Sequence, residues 1–555
     1  MKRNRHKYTW LLLIALTIFS AIPLMCAKEV KDNVAQRETT IAKRKSNATT
    51  QDIFVKDTMV TSQKDLQTKT DLLVEKQQQL SDFTVSKINP WFDNQSNALD
   101  KTDKYESVEY SFTNFINNAE YGAFMIKNKS SQSQRISFKL INKDKKGNIE
   151  LYKSPFIKDS RNRSAADPLI PVTKPVDFEA KETKVFFFKI ESEVQGESNS
   201  ILQIKHKKEV FDITIHAEYF ENNYAKADYL NANNWAYLTY PMLKDRKNEA
   251  ARDLEEHHIN TVVIPPSVIP KMKNGDFEGF SRYLNHFDKV DNILLFTNYI
   301  YNSTKNGYEG GKFMSPEWQK VFKEWYSKLT TLIQEDGYSN ARVYLYPYDE
   351  IKKKENIEDF LRLANWARKA MPEIKFYATL PTNKDVIKTI LPLLDVAQIN
   401  NKDDVLEHLP PHNAEIWSYL IIAQSRYKSP YQMYRLMAWK AYRDQVSGIG
   451  FWNYAHERGE LTRNLISAPV KDVSKSYSVI YEGSHKSIIS TRRWEAFRLG
   501  LEDYQIIKGY ERKFGRTETL KFVKKVLNNP KDLNEAHKIR MKMLKKLVVN
   551  HQDSQ

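Results

Sequence analysis

The sequence predicts a multi-domain chain: an antiparallel β-sandwich, then an α/β (β/α)8 barrel of the TIM type, then a C-terminal helical extension. Three observations predict it. The chain has 555 residues, whereas single cores stop growing near ~250–300 residues. From Phe92 to about Phe220 short alternating segments recur between polar turns, without helical periodicity. Beyond Asn231 short apolar strands alternate with longer amphipathic stretches, the pattern of a parallel sheet with crossover helices.

The first 27 residues read as an export segment, with basic Lys2, Arg3, Arg5 and Lys7 before the apolar run from Trp10 to Met25. The run has the length of a signal core rather than of a long membrane span. The only cysteine, Cys26, directly follows it. A lipid-modified terminus, with membrane attachment there, is one reading; Pro23-Leu24-Met25 is a poor small-residue box for that processing, and cleavage after Ala27 is the other. The expected location is outside the cytoplasm, as a cell-surface lipoprotein, a periplasmic protein or a secreted one. A lone cysteine allows neither a disulfide nor a cysteine-based metal site.

Residues 28–86 are polar with few aromatics, and predict a tether carrying at most a short helix around Leu72 to Leu80. The sandwich is predicted over 87–228, with strands at Tyr121 to Ile126, Arg135 to Leu140, Lys184 to Ile190, Ile201 to Ile204 and Phe211 to Ala217. Its expected role is support or ligand presentation.

The barrel is predicted over 229–490. Its strands are Ala236 to Tyr240, Thr261 to Ile264, Asn292 to Tyr299, Arg342 to Tyr348, Lys375 to Leu380, Val396 to Asn400, Glu415 to Leu420 and Gly448 to Tyr454. Helices are expected at Asn248 to His258, Pro316 to Asp336, Ile357 to Ala370 and Tyr431 to Val446. Eight such units in about 220 residues fit a closed barrel, whose working face is the C-terminal ends of its strands. The segment 491–550 is helical and basic, and is expected to pack on the barrel or extend it.

The formal charge of +17 would suit an anionic partner. Lysines and acids are interleaved, however, and no basic run is spaced by stacking aromatics, so a solvated surface is expected rather than nucleic-acid binding. The aromatic content of 12% fits sugar-binding clefts and large β-rich folds alike. No glycine-rich phosphate loop and no serine nucleophile elbow occurs, which argues against nucleotide binding and esterase chemistry. His257-His258 end a helix with no further ligand at metal-binding spacing, so they read as helix-dipole partners. No metal and no other cofactor is expected, and nothing in the sequence addresses oligomeric state.

The fourth predicted strand ends in Tyr346-Pro347-Tyr348-Asp349-Glu350, which places two neighbouring carboxylates at the catalytic end. Neighbours on a regular strand face opposite sides, but where the strand unwinds both can turn into one cleft. Two carboxylates held close raise each other's proton affinity, keeping one protonated as an acid. The competing reading is a pair of acids opening the next helix. A two-carboxylate glycosidase normally carries its second acid on another strand. Here Asp395 and Glu415 lie at the wrong ends of strands six and seven. One class of retaining glycosidase uses the substrate's own 2-acetamido oxygen as nucleophile, and then the two acids can be adjacent.

Asp349-Glu350, Trp417-Ser418-Tyr419, Pro430 to Trp439 with Arg435, Gly448 to Trp452, and the long motif from Ser490 to Tyr504 resemble the N-acetyl-β-galactosaminidase family of glycoside hydrolases, family 123. The likeness spans roughly residues 230–510, and that family also carries a β-sandwich before its barrel. It implies an exo-acting, retaining, substrate-assisted hydrolysis of terminal β-linked N-acetylgalactosamine, with a glycan or glycoconjugate as partner. Glu350 would protonate the glycosidic oxygen and later deprotonate water. Asp349 would hold the acetamido N–H and stabilise the oxazolinium intermediate. Ile351, where many relatives have proline, and the Pro347-Tyr348 pair depart from the pattern and put the sugar in question. A glycosidase of the same fold acting on another sugar, and a non-catalytic glycan-binding surface protein, are the alternatives.

Candidate walls of the sugar site are Tyr240, Tyr299, Tyr348, Trp417, Tyr419 and Trp452, since sugar CH faces stack on rings. Barrel filling is the competing reading for each. Asn298 and Asn453 near strand ends could bond hydroxyls or cap loops. Arg435 and Arg498 read as structural ion pairs.

Overall fold

A computed structural model describes residues 80–92, 108–143, 146–158, 164–222, 229–299, 311–400, 405–421, 425–455 and 477–552. The export segment, Cys26 and nearly all of the predicted tether lie outside the described residues. Among the described residues no helix is long and apolar enough to cross a membrane.

The sandwich consists of two five-stranded sheets. The strands are β1 (Phe83–Ile88), β2 (Val108–Phe115), β3 (Glu120–Asn128), β4 (Gln134–Asn142), β5 (Asn148–Lys153), β6 (Phe156–Lys158), β7 (Ser164–Ala166), β8 (Ile170–Pro171), β9 (Val176–Phe178), β10 (Thr183–Glu191), β11 (Gly196–His206) and β12 (Glu209–Phe220). One sheet has the order β1-β3-β10-β5-β8, the other β2-β12-β11-β4-β9, and β6 and β7 form a separate pair. All pairings are antiparallel except β2 with β12. β1 begins inside the stretch predicted as tether, because Phe83 and Val85 alternate into the core within an otherwise polar sequence.

Strands β3 and β10 are buried on both faces, and the period-2 alternation shows why. Phe124, Ile126, Phe186 and Phe188 fill the sandwich interior. Tyr121, Ala123, Met125, Val185 and Phe187 join the core that the barrel also builds. Gly122 stands opposite Phe188; a Cβ there would fall 2.2 Å from the Phe188 ring, so glycine is required.

The barrel strands are β13 (Asn231–Asn233), β14 (Thr261–Ile264), β15 (Asn292–Phe296), β16 (Arg342–Tyr346), β17 (Lys375–Leu380), β18 (Val396–Asn400), β19 (Glu415–Ile421) and β20 (Gly448–Trp452). They form one parallel eight-stranded sheet in the order β13-β20-β19-β18-β17-β16-β15-β14. Side chains bridge the remaining seam between β13 and β14. Asn260 Oδ1 accepts from the Ala232 N–H at 2.9 Å, and Asn292 Nδ2 donates to Asn231 Oδ1 at 2.8 Å and to Thr261 Oγ1 at 3.0 Å.

The first strand differs from expectation: it is Asn231–Asn233, not Ala236 to Tyr240. Its asparagines disfavour a strand by propensity, but inside the barrel Asn231 bonds Ser447, Asn292 and Arg342, and Asn233 Nδ2 bonds Gln398. Residues 235–238 do alternate, with Trp235 and Tyr237 facing the inner rings and Ala236 and Leu238 the outer core, yet no ladder forms there. Strands β15, β16 and β20 stop at Phe296, Tyr346 and Trp452, earlier than predicted. Pro347 cannot donate to a ladder, and Asn298 and Glu350 have φ of 47° and 41°, outside the extended region.

The crossover helices include α1 (Lys247–Glu256), α2 (Phe277–Leu284), α3 (Pro316–Ile333), α4 (Lys354–Ala370), α5 (Lys384–Ile390) and α6 (Leu436–Asp444). The tail forms α7 (Arg492–Phe514), α8 (Arg516–Asn528) and α9 (Glu535–Gln552). Thr491 caps α7 by accepting from the Trp494 N–H at 3.1 Å.

Helix α7 is the joint of the molecule. Arg492 donates to the carbonyls of Pro90, Phe92 and Ala166, and Arg493 makes a bidentate pair with Asp167 at 2.7 and 2.8 Å. Glu495 accepts from the Tyr121 hydroxyl at 2.7 Å. Arg498 pairs with Glu191 and Glu502, and Asp503 with Arg435 and Arg540. Arg435 and Arg498 are therefore structural, as expected from the sequence.

Candidate active site

The chain leaves β16 at Tyr346, and the left-handed backbone of Glu350 (φ 41°) breaks the alternation that would send Asp349 and Glu350 to opposite faces. Asp349 Oδ1 accepts from the Tyr346 hydroxyl at 2.8 Å and from Thr379 Oγ1 at 2.5 Å. The Glu350 backbone N–H donates to the same Thr379 oxygen at 2.9 Å, which fixes the turn against β17. Glu350 Oε1 accepts from the Tyr419 hydroxyl at 2.7 Å, and its Oε2 from Lys352 Nζ at 2.7 Å. Tyr346 and Tyr419 belong to one cluster of inward rings that also holds Trp235, Tyr237, Tyr344, Tyr377 and Trp417. Both carboxylates thus converge on the C-terminal side of a single aromatic layer, where the fold places its chemistry.

Burial raises the Asp349 pKa above the ordinary carboxyl value. The bonds from Thr379 and Tyr346 act against that rise, the Glu350 charge adds to it, and Lys352 opposes it. Asp349 is nevertheless exposed to solvent. Burial, and the Glu350 carboxylate beside it, also push the Tyr419 hydroxyl far up, so that it remains a proton-bearing donor.

The other sequence-predicted residues divide by depth. Tyr240 and Trp452 pack, half-buried, against the inner rings, with Trp452 6.2 Å from Trp235 and Tyr240 5.3 Å from Tyr237. Asn453 is fully buried and works on the loop, donating to the Trp235 carbonyl at 2.8 Å and accepting from the Ala455 N–H at 2.9 Å. Trp417 faces inward but at the floor: its indole N–H points to Glu415 at 3.4 Å, at the N-terminal end of the barrel. Its ring lies beside Gly448, where a Cβ would fall 2.4 Å from it.

Tyr299 and Tyr348 do not line the site. Both follow the ends of their strands, where alternation lapses, and both join the outer core between strands and helices. Their rings meet edge to face at 5.8 Å, with Phe313 and Phe360 beside them. Ile351 is buried in the same outer core. Asn298 sits in the left-handed turn after β15, and its Oδ1 is buried without a partner among the described residues.

Sequence reasoning missed Tyr346 and Thr379, the two donors on Asp349, and the rings of Trp235, Tyr237 and Tyr377. Tyr346 could have been found, since it lies on the same strand face as Tyr344. Thr379 could not, because its approach to Asp349 depends on the register between β16 and β17.

Among the described residues no group of three or more His, Cys, Asp or Glu could hold a metal ion. His257 ends α1 but does more than meet a helix dipole. Its Nδ1 lies 2.7 Å from the Asp253 carbonyl and its Nε2 3.3 Å from Glu495.

No protein-family model and no curated protein matches the sequence. Among solved structures, a family 123 glycoside hydrolase from Clostridium perfringens, described for glycolipid glycan hydrolysis, aligns over 86% of this chain and 100% of its own, with a TM-score of 0.64 and 11% identity. A family 2 glycosyl hydrolase from Bacteroides cellulosilyticus aligns over 61% of this chain and 44% of its own at 12% identity and a TM-score of 0.24. A Bacteroides uniformis beta-glucuronidase aligns over 78% and 50% at 9% identity and a TM-score of 0.29. Those two scores are too low to carry an argument. With its sandwich, its eight-stranded parallel barrel and its terminal helices, the chain has the fold of the Clostridium perfringens family 123 glycoside hydrolase.

Proposed function

We propose that this protein is a glycoside hydrolase that removes terminal β-linked N-acetylgalactosamine from glycans by a retaining, substrate-assisted mechanism. The observation that carries the reading is the division of labour around Asp349. Its Oδ1 is held by two hydroxyls, which leaves Oδ2 to accept the acetamido N–H. That bond turns the acetamido carbonyl oxygen toward the anomeric carbon. Burial that raises the proton affinity of Asp349 equally raises its attraction for the positive charge developing on the oxazolinium ring. Glu350, next along the chain and braced by Tyr419, donates a proton to the departing oxygen and then removes one from water. Half-buried Trp452 and Tyr240 offer ring faces to the sugar.

The residues that raised the question of a different sugar, Tyr348 and Ile351, are buried in the outer core and so give no ground for one. The basic and apolar N-terminal segment supports action outside the cytoplasm.

Hydrolysis of an aryl N-acetyl-β-galactosaminide tests the proposal. Glu350→Gln is expected to lower kcat by about 10²–10⁴-fold, and a thiazoline mimic of the intermediate is expected to inhibit. Equal cleavage of the aryl β-galactoside lacking the acetamido group would overturn the substrate-assisted mechanism.

A further inference from the structure

Strand β18 alternates strictly. Val396 belongs to the inner cluster, Ala397 and Ile399 belong to the outer core, and Gln398 faces inward. Gln398 accepts from Asn233 Nδ2 at 2.8 Å and from the Tyr377 hydroxyl, and donates to the Ser418 carbonyl at 3.2 Å. Asn400, two residues on, continues the inward face at the C-terminal end of the strand, in register with Tyr419. Tyr419 is the residue that holds Glu350. Asn400 is 8% exposed, and its Oδ1 is buried without a donor among the described residues.

A buried acceptor with no donor is costly, and a ligand hydroxyl is one group that can supply the missing bond. We propose that Asn400 Oδ1 accepts a hydrogen bond from a ring hydroxyl of the bound sugar, so that Asn400 is a specificity-determining residue. The inference rests on the glycosidase reading above. Asp349 takes the acetamido N–H in that reading, so the donors left on an N-acetylhexosamine are its hydroxyls. Asn400 stands beside the Tyr419–Glu350 pair, two strands from the acids, where the non-reducing sugar has to lie if Glu350 is to reach its glycosidic oxygen.

The test compares wild type with Asn400→Ala and Asn400→Asp on an aryl N-acetyl-β-galactosaminide and on its 3-, 4- and 6-deoxy analogues. On the parent substrate Asn400→Ala is expected to lower kcat/KM by about 10–100-fold, the effect of an unmade buried hydrogen bond. On one deoxy analogue, poor for wild type, that penalty should vanish. Asn400→Asp, which keeps an acceptor, should retain the preference for the parent over that analogue, and it serves as the readout if the alanine variant fails to fold. An equal penalty on all four substrates, or no penalty on any, overturns the inference while leaving the glycosidase reading intact. Wild type that turns over no N-acetylhexosaminide overturns that reading, and this one with it.

Discussion

Replacing Thr379 by alanine removes a hydroxyl that donates to Asp349 Oδ1 and also receives the Glu350 backbone N–H. The bond to Asp349 favours the ionised carboxylate and so lowers its pKa, whereas burial raises it. Without Thr379 burial is less opposed, and the ionised form, which in the proposed mechanism accepts the acetamido N–H, is reached only at higher pH. The acid limb of the kcat/KM profile for Thr379→Ala is therefore expected to move to higher pH, with Tyr346→Phe moving it the same way; a limb that stayed put or moved down would contradict the assignment. At this scale the sequence revealed the acids but not their supports. Asp349 and Glu350 announce themselves as paired charges at a strand end, while Thr379 looks like any strand threonine until a neighbouring strand is set beside it. Tyr299 and Tyr348 misled for the converse reason: a ring near a strand end carries no sign of its direction once the ladder has stopped.

Seven of the eight barrel strands were legible because both of their faces are buried and they read as short apolar runs. β13 was not, since Asn-Ala-Asn has the composition of a turn and becomes a strand only through the amide network it meets inside the barrel. The motif from Ser490 to Tyr504, which carried the family resemblance, proved to be the first half of α7 and its cap. Its arginines and acids contact the sandwich, the barrel helices and the other tail helices rather than the acid pair. Gly500 within it rests on the turn at Arg435, where a Cβ would come 2.5 Å from the Arg435 carbonyl oxygen. That neighbour is backbone and cannot swing aside. Gly500→Ala is expected to cost about 1–3 kcal/mol through overpacking, read as a lower urea midpoint without a change in slope. An unchanged midpoint would mean that the helix can shift.

Across the whole molecule, the charges buried at the joint make stability depend on pH from two sides. Burial alone would raise the Glu495 pKa, but His257 beside it holds it well below the ordinary 4.5. The stabilisation from that depressed pKa is present above pH 4.5 and lost as the pH falls toward the folded value. His257 has the opposite balance: burial lowers its pKa, but Asp253 and Glu495 outweigh that and hold it above the ordinary 6.5. Its contribution is complete below pH 6.5 and disappears as the pH rises through the folded value. Urea midpoints of wild type are expected to decline above pH 6.5 more steeply than those of His257→Gln, and parallel curves would exclude His257 as the source.

At strands β3 and β10 the sheet has no solvent side: Phe187 and Tyr121 are enclosed like Phe186 and Phe124 on the opposite face. A sheet of this kind cannot be lifted off and replaced as a detachable module. Cutting the chain between its domains would leave two fragments, each with a large greasy wound studded with orphaned ions. Engineering that seeks a smaller protein by deleting the leading domain would have to redesign that surface, because neither half is finished without the other.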